Sequence, residues 1–222
     1  MSLDVSCPIV CLITTGECDA ANYIESSKRI LAIARAAVEA GVDLIQLREK
    51  RLTGKLLFDL AQHVVEITRG TSTKLLVNDR FDIALAAGAD GVHLTSMSIP
   101  ADVVRRHVDD RFLIGASCHS AEDVAGAAAG GADFTLFGPV FASPGKGDGV
   151  GIERLASVCA SAGDLPVLAI GGIDEGNYMS VLDAGAAGFA AIRAMNAVGS
   201  MTRILNDWSH HLPGGCDALA GS

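Results

Sequence analysis

The chain has 222 residues, of which 50% are hydrophobic and only 5% are aromatic, and its formal net charge is −9. This length suits one large α/β domain or two small ones, and a core built from Ala, Val, Leu and Ile suits helices packed on a parallel sheet better than an all-β sandwich. The negative charge argues against a surface that binds nucleic acid or an acidic membrane.

The cysteine pattern and the hydropathy bear on the compartment of the protein. The six cysteines include no Cys-x-x-Cys pair, which predicts reduced, mostly buried thiols. The sequence shows no signal-peptide pattern and no apolar run of about twenty residues. We therefore expect a cytoplasmic protein without a membrane span.

Short apolar runs alternate with helical patterns along the whole chain. The predicted strands lie near 8–13, 43–48, 74–78, 90–94, 112–117, 133–138, 166–170 and 187–192. The predicted helices lie near 26–40, 53–69, 80–87, 100–107, 120–130, 151–162, 174–184 and 198–209. This alternation predicts a single-domain (β/α)8 TIM barrel over 1–222, with its core at about 8–209 and a loose C-terminal tail at 213–222. An open doubly wound sheet is the alternative, but its Gly-x-Gly-x-x-Gly turn is absent.

A local pattern containing a glycine recurs before four of the predicted strands. The copies are Ala40-Gly41-Val42-Asp43, Ala87-Gly88-Ala89-Asp90, Gly130-Gly131-Ala132-Asp133 and Ala184-Gly185-Ala186-Ala187. Glycine is typical of a helix C-terminus that ends in a left-handed cap. Each copy therefore predicts a helix-to-strand joint.

The second predicted strand ends in the pattern Gln46-Leu47-Arg48-Glu49-Lys50. Alternate side chains of a strand share a face, so Gln46, Arg48 and Lys50 point the same way. Two cations beside a neutral hydrogen-bonding group indicate a phosphate or pyrophosphate site. A strand end whose charges simply reach water is the alternative.

Polar residues also follow the later predicted strands, at the ends where barrel enzymes assemble their sites. Gly171-Gly172, before a helix that opens at Asp174, predicts a phosphate cup with Arg193 after the next strand. A plain glycine turn is the alternative. The glycine-rich loop 143–151 carries one lysine, Lys146, which could close over an anionic ligand unless the loop is only a flexible connection.

Three further groups have weaker signals. Asp79, in Asn78-Asp79, offers a carboxylate for Mg²⁺, with a helix N-cap as the alternative. Cys118 and His119 are neighbours that face opposite ways in a strand, which argues against a nucleophile–base pair. His93 lies in a buried run and is interpreted as structural.

Together these motifs resemble the thiamine-phosphate synthase/TenI family over about Ile9 to Met195. The segments that carry the resemblance are Gln46–Lys50, Val77–Arg80, Gly91–Leu94, Gly115–Ser120, Gly138–Phe141 with Lys146, and Ala169–Ile173, in the order of the family. The family fold is a (β/α)8 barrel, in agreement with the alternation of elements.

The resemblance implies an activity and a set of site residues. The synthase joins 4-amino-2-methyl-5-(diphosphooxymethyl)pyrimidine to hydroxyethylthiazole phosphate and releases pyrophosphate, so phosphorylated small molecules are the expected partners. The implied pyrophosphate ligands are Arg48, Lys50, Asn78 and Lys146, and those near the pyrimidine are Gln46 and Ser117. Asp79 would bind Mg²⁺. The implied ligands of the thiazole phosphate are Ser143 and the backbone amides around Gly172 and Arg193. Arg48, Lys50, Ser117 and Lys146 are the catalytic candidates of this set.

Three positions depart from the synthase pattern. Ser98 replaces a second magnesium carboxylate, which should lower metal affinity. Gly145 replaces a threonine of the lysine-bearing loop, and Arg193 replaces a serine that is usual near the last strand.

Two alternatives to the synthase follow from these departures. One is a TenI-type thiazole phosphate tautomerase, although Pro139 stands where that enzyme has its acid–base histidine. His119 is the other candidate for this role, although nothing in the spacing requires it. The other is a non-catalytic barrel that binds phosphorylated ligands. The fuller set of pyrophosphate ligands favours the synthase, and the sequence leaves the oligomeric state open, a homo-oligomer included.

Overall fold

Strands and helices alternate strictly in the computed structural model, which describes residue 3 and residues 6–143 and 147–211. The strands are β1 (Ile9–Ile13), β2 (Leu44–Leu47), β3 (Lys74–Asn78), β4 (Gly91–Leu94), β5 (Leu113–Cys118), β6 (Phe134–Phe137), β7 (Val167–Ile170) and β8 (Gly188–Ala191). The helices are α1 (Tyr23–Glu39), α2 (Gly54–Thr68), α3 (Phe81–Ala87), α4 (Ala101–Arg105), α5 (Ala121–Ala129), α6 (Ile152–Ser161), α7 (Tyr178–Asp183) and α8 (Val198–His211).

The strands close on themselves. Each pairs in parallel with the next one, and β1 also pairs with β8, with Ile9 opposite Gly188 and Leu12 opposite Ala191. The described residues thus form the predicted (β/α)8 barrel, and the open-sheet alternative is wrong. The single-domain organisation stays a prediction, and the tail at 213–222 lies outside the described residues.

Strand alternation sorts the apolar side chains into two layers. One set fills the barrel lumen, and it includes Ile9, Cys11, Ile13, Leu44, Leu76, Leu113, Phe134, Leu136, Leu168 and Ala190. The side chains between them, such as Val10, Ile45 and Val77, pack outward against the helices. The lumen is therefore a packed core that receives polar side chains from the strands at its carboxyl-terminal end.

The recurring joints have a second function that their spacing did not show. Gly41, Gly88, Gly131 and Gly185, one in each copy, have positive φ between 75° and 89°, which confirms the left-handed turn. In addition, Asp43 accepts the Val10 N–H at 2.7 Å, Asp90 accepts the Leu75 N–H at 2.8 Å, and Asp133 accepts the Ile114 N–H at 2.7 Å. Each aspartate thus ties the start of its own strand to the preceding strand, at the end opposite the predicted site.

The cysteines depart from expectation at one position. Cys11, Cys18, Cys118 and Cys159 carry free thiols, the first three buried, whereas Cys7 is disulfide-bonded. The expectation of reduced thiols is therefore wrong for Cys7, because the sequence pattern alone does not show which cysteines are bonded. Among the described helices, none is long and apolar enough to cross a membrane.

The aspartate ties should contribute measurably to stability. Asp133→Ala leaves the Ile114 N–H unpaired and removes a 2.7 Å contact with Arg105. We expect a loss of about 1–3 kcal/mol in the free energy of unfolding, measured by urea denaturation. The control is Asp59→Ala, which breaks an exposed pair with Lys55 and should cost less than about 0.5 kcal/mol. Equal costs for the two variants would show that the tie contributes nothing beyond a surface charge.

Candidate active site

Four polar side chains line the carboxyl-terminal end of the lumen, and we call them the floor: Gln46, Asn78, His93 and Ser117. Gln46 and Asn78 each lie two residues after a lumen leucine, and Ser117 lies four residues after one. Asn78 is the register partner of His93 across β3 and β4. Because register partners and alternate residues share a face, the four point into the lumen above its apolar layer.

Gln46 has an unused hydrogen-bond donor in this floor. The side chain is 2% exposed, and its Nε2 atom has no hydrogen-bond partner among the described residues. A buried amide donor without a partner costs roughly 1–3 kcal/mol. A ligand that accepts a hydrogen bond at the floor would remove this cost.

His93 and Ser117 form a pair within the floor. His93 Nε2 lies 2.9 Å from Ser117 Oγ, whereas Nδ1 has no partner among the described residues. Burial, with a smaller contribution from the charge of Lys50, lowers the pKa of His93 to about 3, so the ring is neutral. We assign the proton of the ring to Nε2, because an unpaired buried N–H at Nδ1 would cost a lost hydrogen bond. In this tautomer Ser117 accepts from His93 and keeps its own hydroxyl proton for a ligand.

The predicted cations lie beyond the strand ends, next to this floor. We call the charged residues there, Arg48, Lys50 and Asp79, the rim. Arg48 is half-buried and Lys50 is exposed, both just beyond the end of β2. The charge of Lys50 contributes to the lowered pKa of His93, so the ammonium group lies near enough to this histidine to act on it. Because β2 ends at Leu47, the predicted common face of Gln46 and Lys50 stays a prediction.

Asp79, just after β3, contacts Ser98 in the loop that follows the neighbouring strand β4. The Ser98 hydroxyl donates to Asp79 Oδ1 in a short hydrogen bond, and it accepts the Thr95 N–H at 2.7 Å. Asp79 has φ of +67°, and its own N–H donates to the His93 carbonyl. The N-cap alternative for Asp79 is wrong, because Arg80 occupies the cap position of α3. Asp79 is therefore an exposed carboxylate held at the rim.

The glycine-rich loop is described only at its two ends. Ser143 and Gly147 form a backbone bridge, and the Ser143 hydroxyl donates to the Phe141 carbonyl at 3.4 Å. Lys146 and Gly145 lie outside the described residues. The position of Lys146 over a bound anion stays a prediction.

The predicted phosphate cup differs in one detail. Helix α7 begins at Tyr178, not at Asp174, because Asn177 Oδ1 accepts the Asp174 N–H and the two side chains stabilise a turn instead. Asn177 also donates through Nδ2 to the Gly172 carbonyl at 2.8 Å. The glycine turn is therefore held by a side chain rather than by a following helix, and Arg193 lies exposed in the turn after β8.

Cys118 and His119 do not form a catalytic pair. The Cys118 thiol is buried, which raises its pKa to about 12, so no thiolate is available at neutral pH. His119 Nδ1 lies 2.5 Å from the Gly138 carbonyl. The prediction against a nucleophile–base pair agrees with these contacts.

Sequence reasoning missed two members of this region. His93 was interpreted as structural, yet it orients Ser117, and its place in strand alternation was the available signal. Asn177 had no signal, because only the folded turn brings its amide to the Gly172 carbonyl.

Known proteins share this arrangement of elements and motifs. A family model described as thiamine monophosphate synthase matches residues 10–195. A putative thiamine-phosphate synthase of Geobacter sulfurreducens is 47% identical over 171 residues, which cover 76% of this chain and 80% of the relative. The thiamine-phosphate synthase of Methanoculleus marisnigri is 44% identical, with 77% and 82% covered. The structure of thiamine phosphate pyrophosphorylase from Pyrococcus furiosus superposes with a TM-score of 0.77 at 29% identity, covering 90% of this chain and 96% of that one.

The neutral state of His93 predicts a pH dependence of stability. Its pKa is about 3 in the folded protein against an ordinary 6.5, so protons favour the unfolded chain. The resulting stability is complete above pH 6.5 and is lost as the pH falls toward 3. We expect His93→Gln to flatten this decline by up to about 1.4 kcal/mol per pH unit, measured by urea denaturation at several pH values.

A matched control separates this effect from the other titrating groups. His107→Gln changes an exposed histidine whose Nδ1 atom lies 2.8 Å from the Val103 carbonyl. This variant should keep the wild-type pH profile. Parallel profiles for wild type and His93→Gln would contradict a neutral buried His93.

Proposed function

This chain belongs to the thiamine monophosphate synthase family, and we propose that it is a thiamine-phosphate synthase, a transferase of thiamine biosynthesis. The reaction joins 4-amino-2-methyl-5-(diphosphooxymethyl)pyrimidine to hydroxyethylthiazole phosphate and releases pyrophosphate. One observation carries the proposal: a neutral polar floor with an unused donor on Gln46 lies beneath a rim of cations.

The floor suits the pyrimidine ring. The ring is neutral and carries hydrogen-bonding nitrogens at its edge, so it needs directed donors and acceptors rather than charges. Gln46 Nε2 and the Ser117 hydroxyl supply donors, and His93 fixes the second of these. A floor without a net charge also avoids the desolvation cost that a buried ion would carry.

The rim suits the diphosphate of the same substrate. Arg48 and Lys50 lie at the mouth beside Asn78, and we place Lys146 with them. A guanidinium binds phosphate oxygens in a bidentate way, and a lysine adds a mobile charge. These cations stabilise the leaving group most when the C–O bond breaks and negative charge gathers on the diphosphate.

Asp79 fits a magnesium ion that arrives with the diphosphate. The described residues hold no group of three or more His, Cys, Asp or Glu side chains that could bind a metal ion, and Ser98 occupies one oxygen of Asp79. Mg²⁺ is usually held by one or two carboxylates together with substrate phosphates and waters. When bound there, the metal would neutralise charge on the leaving group.

The second substrate is assigned to the opposite side of the mouth. Its phosphate would bind the backbone amides around Gly172, with Ser143 and Arg193 as additional ligands. A side chain at Gly172 would approach the Ala142 carbonyl to 2.6 Å, so only glycine lets these two loops come this close. The reaction requires the thiazole nitrogen to face the pyrimidine methylene from this position.

The chemistry then follows from this placement. The methylene C–O bond breaks, its electron pair leaves with the diphosphate, and the thiazole nitrogen donates its lone pair to the methylene carbon. The buried floor excludes water from the electron-poor methylene until the C–N bond forms. The product is thiamine phosphate.

An end-point assay with both substrates tests this proposal. We expect product with Mg²⁺ and none in chelator. Arg48→Ala should lower kcat/KM by about 100-fold or more, because it removes a donor to the departing charge. The control is Arg51→Ala, an exposed arginine that pairs with Asp19 and should change kcat/KM by less than about twofold. Folded protein that forms no product but isomerises thiazole phosphate in chelator would instead be a TenI-type tautomerase.

The serine at position 98 leads to a separate prediction about metal affinity. Ser98→Asp adds a second carboxylate beside Asp79, where two like charges favour a divalent cation. We expect Mn²⁺ to bind about tenfold more tightly in the presence of inorganic pyrophosphate, measured by electron paramagnetic resonance. Ser96→Asp adds the same charge at an exposed position two residues away and should leave the affinity unchanged. Equal tightening by both variants would indicate a general charge effect and contradict the site.

A further inference from the structure

Glu49 is a buried carboxylate that the proposed reaction does not use. It lies between the cations Arg48 and Lys50 in sequence, yet it is only 2% exposed. Its Oε1 accepts the Gly16 N–H at 3.1 Å, and its Oε2 accepts the Cys18 N–H at 2.8 Å. A buried charge is tolerated when charge-assisted hydrogen bonds replace its water. Here both donors belong to one segment, the loop between β1 and α1.

The same loop lies against Arg48. Thr14 donates through its N–H to the Gln46 carbonyl at 3.0 Å, and its hydroxyl oxygen accepts the Arg48 N–H at 2.8 Å. A β-carbon at Gly16 would lie 2.8 Å from Arg48 Nη1 and 3.2 Å from the Arg48 carbonyl. The guanidinium therefore rests on the bare backbone of Gly16, a residue that Glu49 holds through its N–H.

We propose that Glu49 is a positioning residue for Arg48. Glu49 fixes the loop at Gly16, so that the backbone of Gly16 forms a rigid surface, here called the wall, beneath the Arg48 guanidinium. This inference rests on the proposed function, in which Arg48 binds the diphosphate. A flexible arginine side chain loses rotamer entropy when it binds a ligand. A fixed surface on one side already restricts the side chain, so less entropy is lost on binding. Without Glu49, the Gly16 and Cys18 N–H groups lose their acceptor and the wall relaxes.

The chain contains a matched control for a purely structural role. Asp43, on the same pair of strands, also accepts a backbone N–H of β1, that of Val10, through one carboxylate oxygen. This contact lies at the amino-terminal end of the strands, away from the mouth. Loss of the Asp43 contact weakens the connection between β1 and β2 but leaves the loop at Gly16 in place.

The test is calorimetric binding of inorganic pyrophosphate with Mg²⁺ to the full-length protein. Glu49→Gln should weaken pyrophosphate binding about tenfold, because an amide offers only one acceptor to two donors. Asp43→Asn should change it by less than about twofold. Glu49→Gln should also raise KM for the pyrimidine diphosphate while KM for thiazole phosphate stays constant.

A double mutant shows whether the effect passes through Arg48. In the Arg48→Ala background, Glu49→Gln should cause no further loss of pyrophosphate affinity, because the side chain that it positions is gone. Gly16→Ala gives a second route to the same effect and should also weaken pyrophosphate binding, since its β-carbon displaces the guanidinium.

The outcomes distinguish this inference from the proposed function. If Arg48→Ala itself leaves pyrophosphate affinity unchanged, the role of Arg48 in the proposed function fails. If Arg48→Ala weakens binding but Glu49→Gln matches Asp43→Asn, the positioning role alone is overturned. The same holds if Glu49→Gln weakens binding equally in the presence and absence of Arg48.

Discussion

The candidate site depends on the closed parallel pairing of the strands. Closure of the barrel fixes the register of every strand pair. For example, Ile9 lies opposite Gly188 in the β1–β8 pair, and Asn78 lies opposite His93 in the β3–β4 pair. Because the strands are parallel, all their carboxyl ends meet at one mouth, and alternate side chains must point inward there. One polar residue per strand above the apolar layer is then enough to build a floor.

The floor and the rim differ in charge, and the fold maintains that difference. Burial keeps His93 neutral, and the positive charge of Lys50 further disfavours its protonation. The Lys50 cation at the rim therefore helps to keep the floor uncharged. The charged groups Arg48, Lys50 and Asp79 all lie beyond their strand ends, where water reaches them. A substrate with a neutral ring and an anionic tail matches this division, and a wholly anionic ligand matches only the rim.

Strand and helix positions could be predicted because their signals are local. Periodicity and the glycine joints placed every strand within one residue of its observed bounds. Contacts between distant residues could not be predicted this way. Glu49 meets Gly16 across 33 residues, and nothing in its own neighbourhood marks it as different from its charged neighbours. The predicted start of α7 was wrong for a local reason, because the side chains of Asp174 and Asn177 compete with the helix for backbone groups.

The most direct test of the division between floor and rim is a comparison of two half-ligands by calorimetry. The ligands are the pyrimidine alcohol, which lacks the diphosphate, and inorganic pyrophosphate with Mg²⁺. We expect Gln46→Leu to weaken binding of the alcohol and leave binding of pyrophosphate unchanged. Arg48→Ala should weaken binding of pyrophosphate and leave binding of the alcohol unchanged. If both variants weaken binding of both ligands equally, the floor and the rim are not separate subsites, which would contradict the proposed division.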